Sequence, residues 1–443
     1  MHGTIRRMIS LFAYIKSKEA VEYGRMYKSA FTRESPLNFE NSILIHINKH
    51  GLTNHMELRN YFKKIGKISI SKQAFSKSKE KLNPNVFKNL NNHLLTKFYG
   101  SNEVKKFKNH LILSGDGSKS TLPYNKTLEN IFGGIINKFQ ELTSVAINLT
   151  TIYDCLNGFI IDLELDKYKT SEKELINRNM DNITKLDYLK DTKKIFICDR
   201  GFPSIEFFNY LLEKNEKFIF RIRKNSYKAE KTIMKTNDEF IDININKTRL
   251  NHIKNKELKE KLLKKEKLNL RITKITLPTG EEEHLISNLN KKTFTSNDLK
   301  ELYNLKWGIE VSYDSLKNLF AIENVSGYSE IAVKQDYLSQ ILAYNIVNDL
   351  ENTAQKILNQ KTQNTKDPKP KKKKINKNIA LGIIKEELIK ITRLTEENTQ
   401  KEKLIELIQE ISKTYTQTST TKSPRKPKRA YSTKNRTNNR KSF

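Results

Sequence analysis

The run Ile195-Phe196-Ile197-Cys198 is apolar at every position, so both of its faces have to be covered once it is extended. That requires a sheet with helices on each side, and the run stops abruptly at Asp199-Arg200-Gly201. The surrounding pattern agrees. Extended runs are predicted over residues 110–114, 143–153, 159–165 and 218–223, and helices over 171–189 and 204–215. Strands, a helix, a strand, a helix and a strand in that order predict an α/β fold: a mixed sheet flanked by helices, with carboxylates on or at the ends of strands.

Residues 225–283 lose this regularity. They are polar and Lys-rich with one clear strand over 271–277, and read as a β-rich insertion into the core. An extended run resumes over 283–289, and a long helix from 295 or 296 to about 320 closes the core, opened by the capping cluster Thr295-Ser296-Asn297-Asp298. Helical segments follow over 331–350 and on to about 411. Ahead of the core, a helix over 57–64, a turn at Gly66 and a second helix from near Ser71 have the order of a helix-turn-helix, which an ordinary helical hairpin matches equally well. The second helix carries Lys72, Lys77, Lys79 and Lys81 beside Ser76 and Ser78, a surface suited to DNA. The apolar run 8–15 is predicted to be the buried side of a helix.

The predicted organisation is a helical DNA-binding region over 1–105, the core over 106–225, the β-rich insertion over 226–284, the second part of the core with Glu310 over 285–350, a helical region over 351–410 and a basic disordered tail over 411–443. The linker at residues 367–374 is built of Pro and Lys, and the tail beyond residue 411 is rich in Ser, Thr, Lys and Arg.

Charge narrows the partners. Lys and Arg number 82 against 50 Asp and Glu, a formal +32, and such a surplus calls for a polyanion, with nucleic acid well ahead of an anionic membrane. Cys155 and Cys198 are the two cysteines. They lack zinc-ligand spacing and make no disulfide framework, so a reducing compartment is expected, with Cys198 a small buried hydrophobe. No apolar stretch reaches the roughly 20 residues of a membrane span. A cytoplasmic protein is the expectation.

Three carboxylates stand out. Tyr303, Lys306, Glu310 and Lys317 are spaced by three, seven and fourteen residues from the first, which at about 100° per residue puts them on one polar stripe roughly 60° wide. Leu302, Leu305, Ile309, Leu316 and Phe320 fill the adjoining arc that faces the sheet. Asp116 lies between Gly115 and Gly117 just past a strand, and Asp199 follows the buried one. Taken singly, Glu310 fits a solvated helix face, Asp116 a turn and Asp199 a loop cap. Taken together in so basic a chain, they suit two Mg2+ ions about 3.5–4 Å apart that activate the attacking oxygen of a phosphodiester and stabilise the leaving one.

The strings Leu113-Ser-Gly-Asp116-Gly-Ser118, Ile197-Cys-Asp199-Arg-Gly-Phe-Pro-Ser204 and Tyr303-Asn-Leu-Lys306-Trp-Gly-Ile-Glu310, with Lys317 seven residues on, resemble bacterial insertion-sequence DDE transposases of the IS-four group, the branch with the Tyr-Arg-Glu-Lys signature. The resemblance runs from the Ser71-Lys-Gln-Ala-Phe-Ser-Lys77 string, through the three motifs in order, to Gln335-Asp336 and Asn345. It implies an RNase H-like core in which Asp116, Asp199 and Glu310 are catalytic and bind two Mg2+, with Mn2+ able to substitute. It further implies that Tyr303, Lys306, Lys317 and Arg200 lie on DNA, and that Trp307 packs against the core. Lys306 stands where the family signature has Arg, keeping the charge without the bidentate fork. The implied activity is cut-and-paste transposition. DNA is cut at terminal inverted repeats, in relatives often through a hairpin, and the freed 3′-hydroxyl attacks target DNA. Two chains are expected to work together on the DNA, in a bacterial, nucleoid-associated setting.

Two other readings stand beside it. One is a catalytically inactive, transposase-derived DNA-binding protein, which the complete carboxylate trio opposes and Lys306 favours. The other, an unrelated basic RNA- or ribosome-binding protein, leaves the Asp-Gly-Ser and Asp-Arg-Gly-Phe-Pro-Ser strings without a purpose.

Overall fold

The structure, a computed structural model, describes residues 1–276, 280–363 and 373–417. The predicted linker falls largely, and the predicted tail beyond residue 417 entirely, outside the described residues.

Nine strands form one sheet among the described residues: β1 Leu111–Thr121, β2 Gly134–Ile136, β3 Leu142–Asp154, β4 Ile160–Lys167, β5 Lys194–Cys198, β6 Lys217–Ile222, β7 Asp238–Asn244, β8 Lys267–Thr276 and β9 Glu282–Ser287. The central order is β4-β3-β1-β5-β6. Within it β3 runs antiparallel to β1 and β4, while β1, β5 and β6 are parallel. This is the mixed α/β sheet the sequence predicts, consistent with an RNase H-like core. The run 195–198 is buried throughout, because helices cover both faces. On one face Leu113, Phe196 and Cys198 meet the Glu172–Ile183 and Ile205–Glu213 helices. On the other, Ile112, Ile195, Ile197 and Ile219 meet Leu299 and Leu302 of the Ser296–Leu305 helix. Each helix starts at a side-chain cap: Ser171, Ser204, and Thr295 in a reciprocal box with Asp298.

Several elements differ from the sequence reading. β1 extends to Thr121 rather than ending near residue 114, because its polar half pairs along β3 out to Thr121 opposite Ala146. The insertion holds β7 and β8 rather than one strand, and these continue the main sheet through β9 beside β6. The 171–189 helix breaks after Ile183, and a short Asp187–Lys190 turn follows. The long closing helix is three pieces: Ser296–Leu305, Trp307–Asp314 and a wider π-type turn, Ser315–Leu319. The 331–350 segment is longer, Glu330–Gln363.

That 34-residue helix is buried almost all round over residues 335–350, as befits a helix in the middle of a core. Its polar side chains tie the chain ends to the sheet. Asn345 donates to the Ile160 carbonyl at 2.7 Å and accepts from the Ile160 N–H at 2.9 Å. Asp349 takes a fork from Arg7 of the His2–Ile15 helix, both bonds 2.7 Å. Gln335 donates to the carbonyls of Lys79 and Leu82. The predicted hairpin is present as Asn54–Lys64 and Lys72–Lys79, with Gly66 at φ +66° in the turn, a left-handed position that favours glycine. Lys72, Lys77 and Lys81 face outward with Ser76. Lys79 does not: it is buried over the Phe75 ring and donates to the Ser326 carbonyl at 2.8 Å. Ser78 is buried as well.

No helix among the described residues is long and apolar enough to cross a membrane.

Candidate active site

Strand register brings the two aspartates together. The last parallel pair of β1 and β5 is Gly115 with Cys198, so Asp116, the next residue of β1, and Asp199, the first residue past β5, follow side by side. Alternation turns both toward the face that carries Ile112 and Ile197, where the Ser296–Leu305 helix lies. Asp116 sits in mid-strand opposite Thr151 rather than in a turn. Its Oδ1 accepts from the Gly117 N–H at 2.9 Å, and its carbonyl accepts from the Tyr313 hydroxyl at 2.8 Å.

From above, the helical pieces deliver Tyr303, Lys306 and Glu310. The Tyr303 hydroxyl donates to Asp199 Oδ1 at 3.4 Å. Lys306 Nζ lies 3.7 Å from Asp116 Oδ2 and 3.7 Å from Glu310 Oε1. The Lys306 side chain is only 7% exposed, against 46% for Glu310. Burial raises the Asp116 pKa above the ordinary carboxylate range, although the Lys306 charge and the Gly117 N–H oppose the rise. Burial, then the neighbouring Asp199 charge, pushes the Tyr303 hydroxyl up as well, so Tyr303 acts here as a neutral donor.

The predicted site residues do not all converge. Lys317 Nζ donates to the Lys119 carbonyl at 2.8 Å and lies 4.0 Å from Glu323 Oε1, three residues along β1 from Asp116, or about 10 Å. Arg200 is exposed at the mouth of a groove lined by Arg221, Arg223, Lys224, His284 and residues 281–283. Trp307 is 52% exposed, not packed against the core. It follows Leu302 by five residues, which turns it about 140° away from the buried stripe. Sequence reasoning missed Tyr313, which also accepts from Thr151 Oγ1 at 3.0 Å and so pins β1 and β3 beneath Glu310. A tyrosine three residues after that glutamate was the available signal.

Three carboxylates are hard oxygen ligands, the donor chemistry that Mg2+ or Mn2+ takes. Their present spacing is wider than a ligand shell: among the described residues no group of three His, Cys, Asp or Glu side chains is close enough to hold a metal ion. An ammonium, that of Lys306, stands between two of them.

No curated protein matches the chain in sequence. Among solved structures it is similar to the chain in the "Cryo-EM structure of piggyBac transposase synaptic complex with hairpin DNA", at 12% identity and TM-score 0.42, over 90% of this chain and 85% of that one. Residues 140–346 match the family model described as the transposase DDE domain. The matched stretch contains Asp199, Tyr303, Lys306, Glu310 and Lys317 and begins after Asp116. This family match supports a DDE transposase.

Proposed function

We propose that the chain is the cut-and-paste transposase of an insertion sequence, with Asp116, Asp199 and Glu310 as its catalytic carboxylates. The observation that carries this reading is that the three motifs lie side by side, linked through Tyr303 and Lys306. Neighbouring strands supply two aspartates, Asp116 from the middle of β1 and Asp199 from just past the end of β5, and one helical edge supplies Tyr303, Lys306 and Glu310 above them. A divalent cation, of the kind DDE transposases generally use, would be held by these carboxylates and supply an activated oxygen and charge neutralisation at the phosphate. The chain's own residues do the rest. Tyr313 fixes the backbone that presents Asp116, Tyr303 orients Asp199 by its hydroxyl, and Lys306, Lys317 and Arg200 offer cations to the DNA backbone. The Asn54–Lys79 hairpin and the residues just after it, through Lys72, Lys77 and Lys81, engage the terminal repeat, and two chains work together on the paired ends.

Cutting of a labelled duplex that carries the flanking inverted repeat tests this reading. Metal-dependent cleavage at the repeat boundary is expected. Replacing Lys72, Lys77 and Lys81 by Ala is expected to flatten the slope of log affinity against log salt by roughly 2.7, about 0.9 for each phosphate that a lysine no longer neutralises. An unchanged slope would remove the hairpin from the DNA interface. A second reading, DNA binding without cutting, is favoured by one observation, the absence of a metal-sized carboxylate group among the described residues. Specific binding with no cleavage under Mg2+ or Mn2+ would select it.

A further inference from the structure

We propose that the Lys306 ammonium is a built-in counter-ion that holds the gap between Asp116 and Glu310 closed to divalent metal, so that a metal ion enters only as this ammonium leaves. The inference deepens the transposase reading and rests on it for the purpose of the site, though not for the geometry. Lys306, though almost wholly enclosed, has two carboxylates beside it, each 3.7 Å from Nζ, the partners that a buried ammonium requires. The same two carboxylates are the ones a metal would need. An ammonium and a divalent cation a few ångströms apart in a partly buried site repel each other strongly, so the two cations exclude one another.

The backbone suits such an exchange. Lys306 lies at the joint between the Ser296–Leu305 and Trp307–Asp314 helices, and its stem is four flexible carbons. Arg in this place would keep a broad, planar fork among the carboxylates, whereas Lys is a point charge that withdraws along its own stem. Once displaced, the ammonium needs another anion. A DNA phosphate beside the exposed Glu310 is the one the proposed function supplies, and metal loading is thereby coupled to the presence of DNA.

The test is a Mn2+ titration of the full chain without DNA, following free Mn2+ by its electron paramagnetic resonance signal. Lys306→Met is expected to bind Mn2+ at least tenfold more tightly than the native chain. Adding Asp116→Asn to Lys306→Met is expected to abolish the gain. Lys306→Gln serves as the second variant if Lys306→Met does not fold, judged by thermal melting, and is expected to show the same direction. Mn2+ binding no tighter in either variant than in the native chain would overturn the proposal, as would a gain that survives Asp116→Asn. A purely structural lysine would lower the melting temperature and leave Mn2+ affinity unmoved, which also overturns it. Tightening in Lys306→Met together with no metal-dependent cutting of repeat-bearing DNA by the native chain would sink the transposase reading and leave the lysine exchange standing.

Discussion

Replacing Asp116 or Asp199 by Asn is expected to slow cutting of a repeat-bearing duplex by about a thousandfold or more while DNA binding persists. Charge stabilisation by a carboxylate-held metal is worth several kcal/mol, and about 4 kcal/mol corresponds to that factor. Asn preserves volume and an acceptor oxygen, so the Gly117 N–H keeps its partner at Asp116. The strand itself is held independently, by the ladders to β3 and β5 and by Tyr313 on the Asp116 carbonyl. Loss of activity would therefore report chemistry rather than unfolding. Single-turnover cleavage beside equilibrium binding checks it, and cutting within tenfold of native by both variants would move the active site elsewhere.

The second large effect is on stability. Asp336 is fully buried and lies 3.0 Å from Lys49 Nζ, while the Ser326 hydroxyl donates to it at 2.7 and 2.8 Å. Lys79 reaches the same Ser326 from the Asn54–Lys79 hairpin. Asp336→Ala leaves Lys49 and Lys79 in the interior without their counter-charge, a change expected to cost about 3–5 kcal/mol. Urea unfolding at neutral pH measures it, and a loss under about 1 kcal/mol would mean that the lysines find other partners. Acid should act in the same direction. Burial alone would raise the Asp336 pKa, but the charges of Lys49 and Lys79 and the Ser326 N–H bring it below the ordinary value. Its contribution is therefore present above the unfolded value near 3.9 and is lost as pH falls through the folded one. His46, packed beside Phe75 and Phe87, is held neutral to about 4 by burial and then by Lys79. The unfolded chain, with His near 6.5, binds more protons between those limits, so stability also falls as pH drops from about 6.5 to 4.

The positions of these groups were unevenly legible. β5 and Asp199 were readable because an unbroken apolar run followed by Asp-Arg-Gly has few other uses. The Glu310 stripe was readable because helical spacing is local. Asp116 was placed just past a strand rather than within it, since Gly-Asp-Gly-Ser is turn chemistry in isolation and only pairing with β3 makes it strand. β7 was lost for a similar reason: Asp238-Glu239-Phe240-Ile241-Asp242-Ile243 lies in a stretch too polar to stand out as a strand, and the partners of its acids, Arg271 and Lys267, come from β8. Lys306 and Lys79 read as surface cations because burial of an ammonium depends on carboxylates and carbonyls far away in sequence. Lys317 falls within the π-type turn Ser315–Leu319, and no spacing rule foresees such a turn.

The most direct test is cutting by Asp116→Cys with Mg2+ and with Mn2+. If Asp116 holds the metal at the scissile phosphate, a thiolate there disfavours hard Mg2+ and is better tolerated by Mn2+. Cutting should be nearly absent in Mg2+ and return in part in Mn2+. Native rates in Mg2+ would show that Asp116 does not touch the metal and that the carboxylate meeting point is not where DNA is cut.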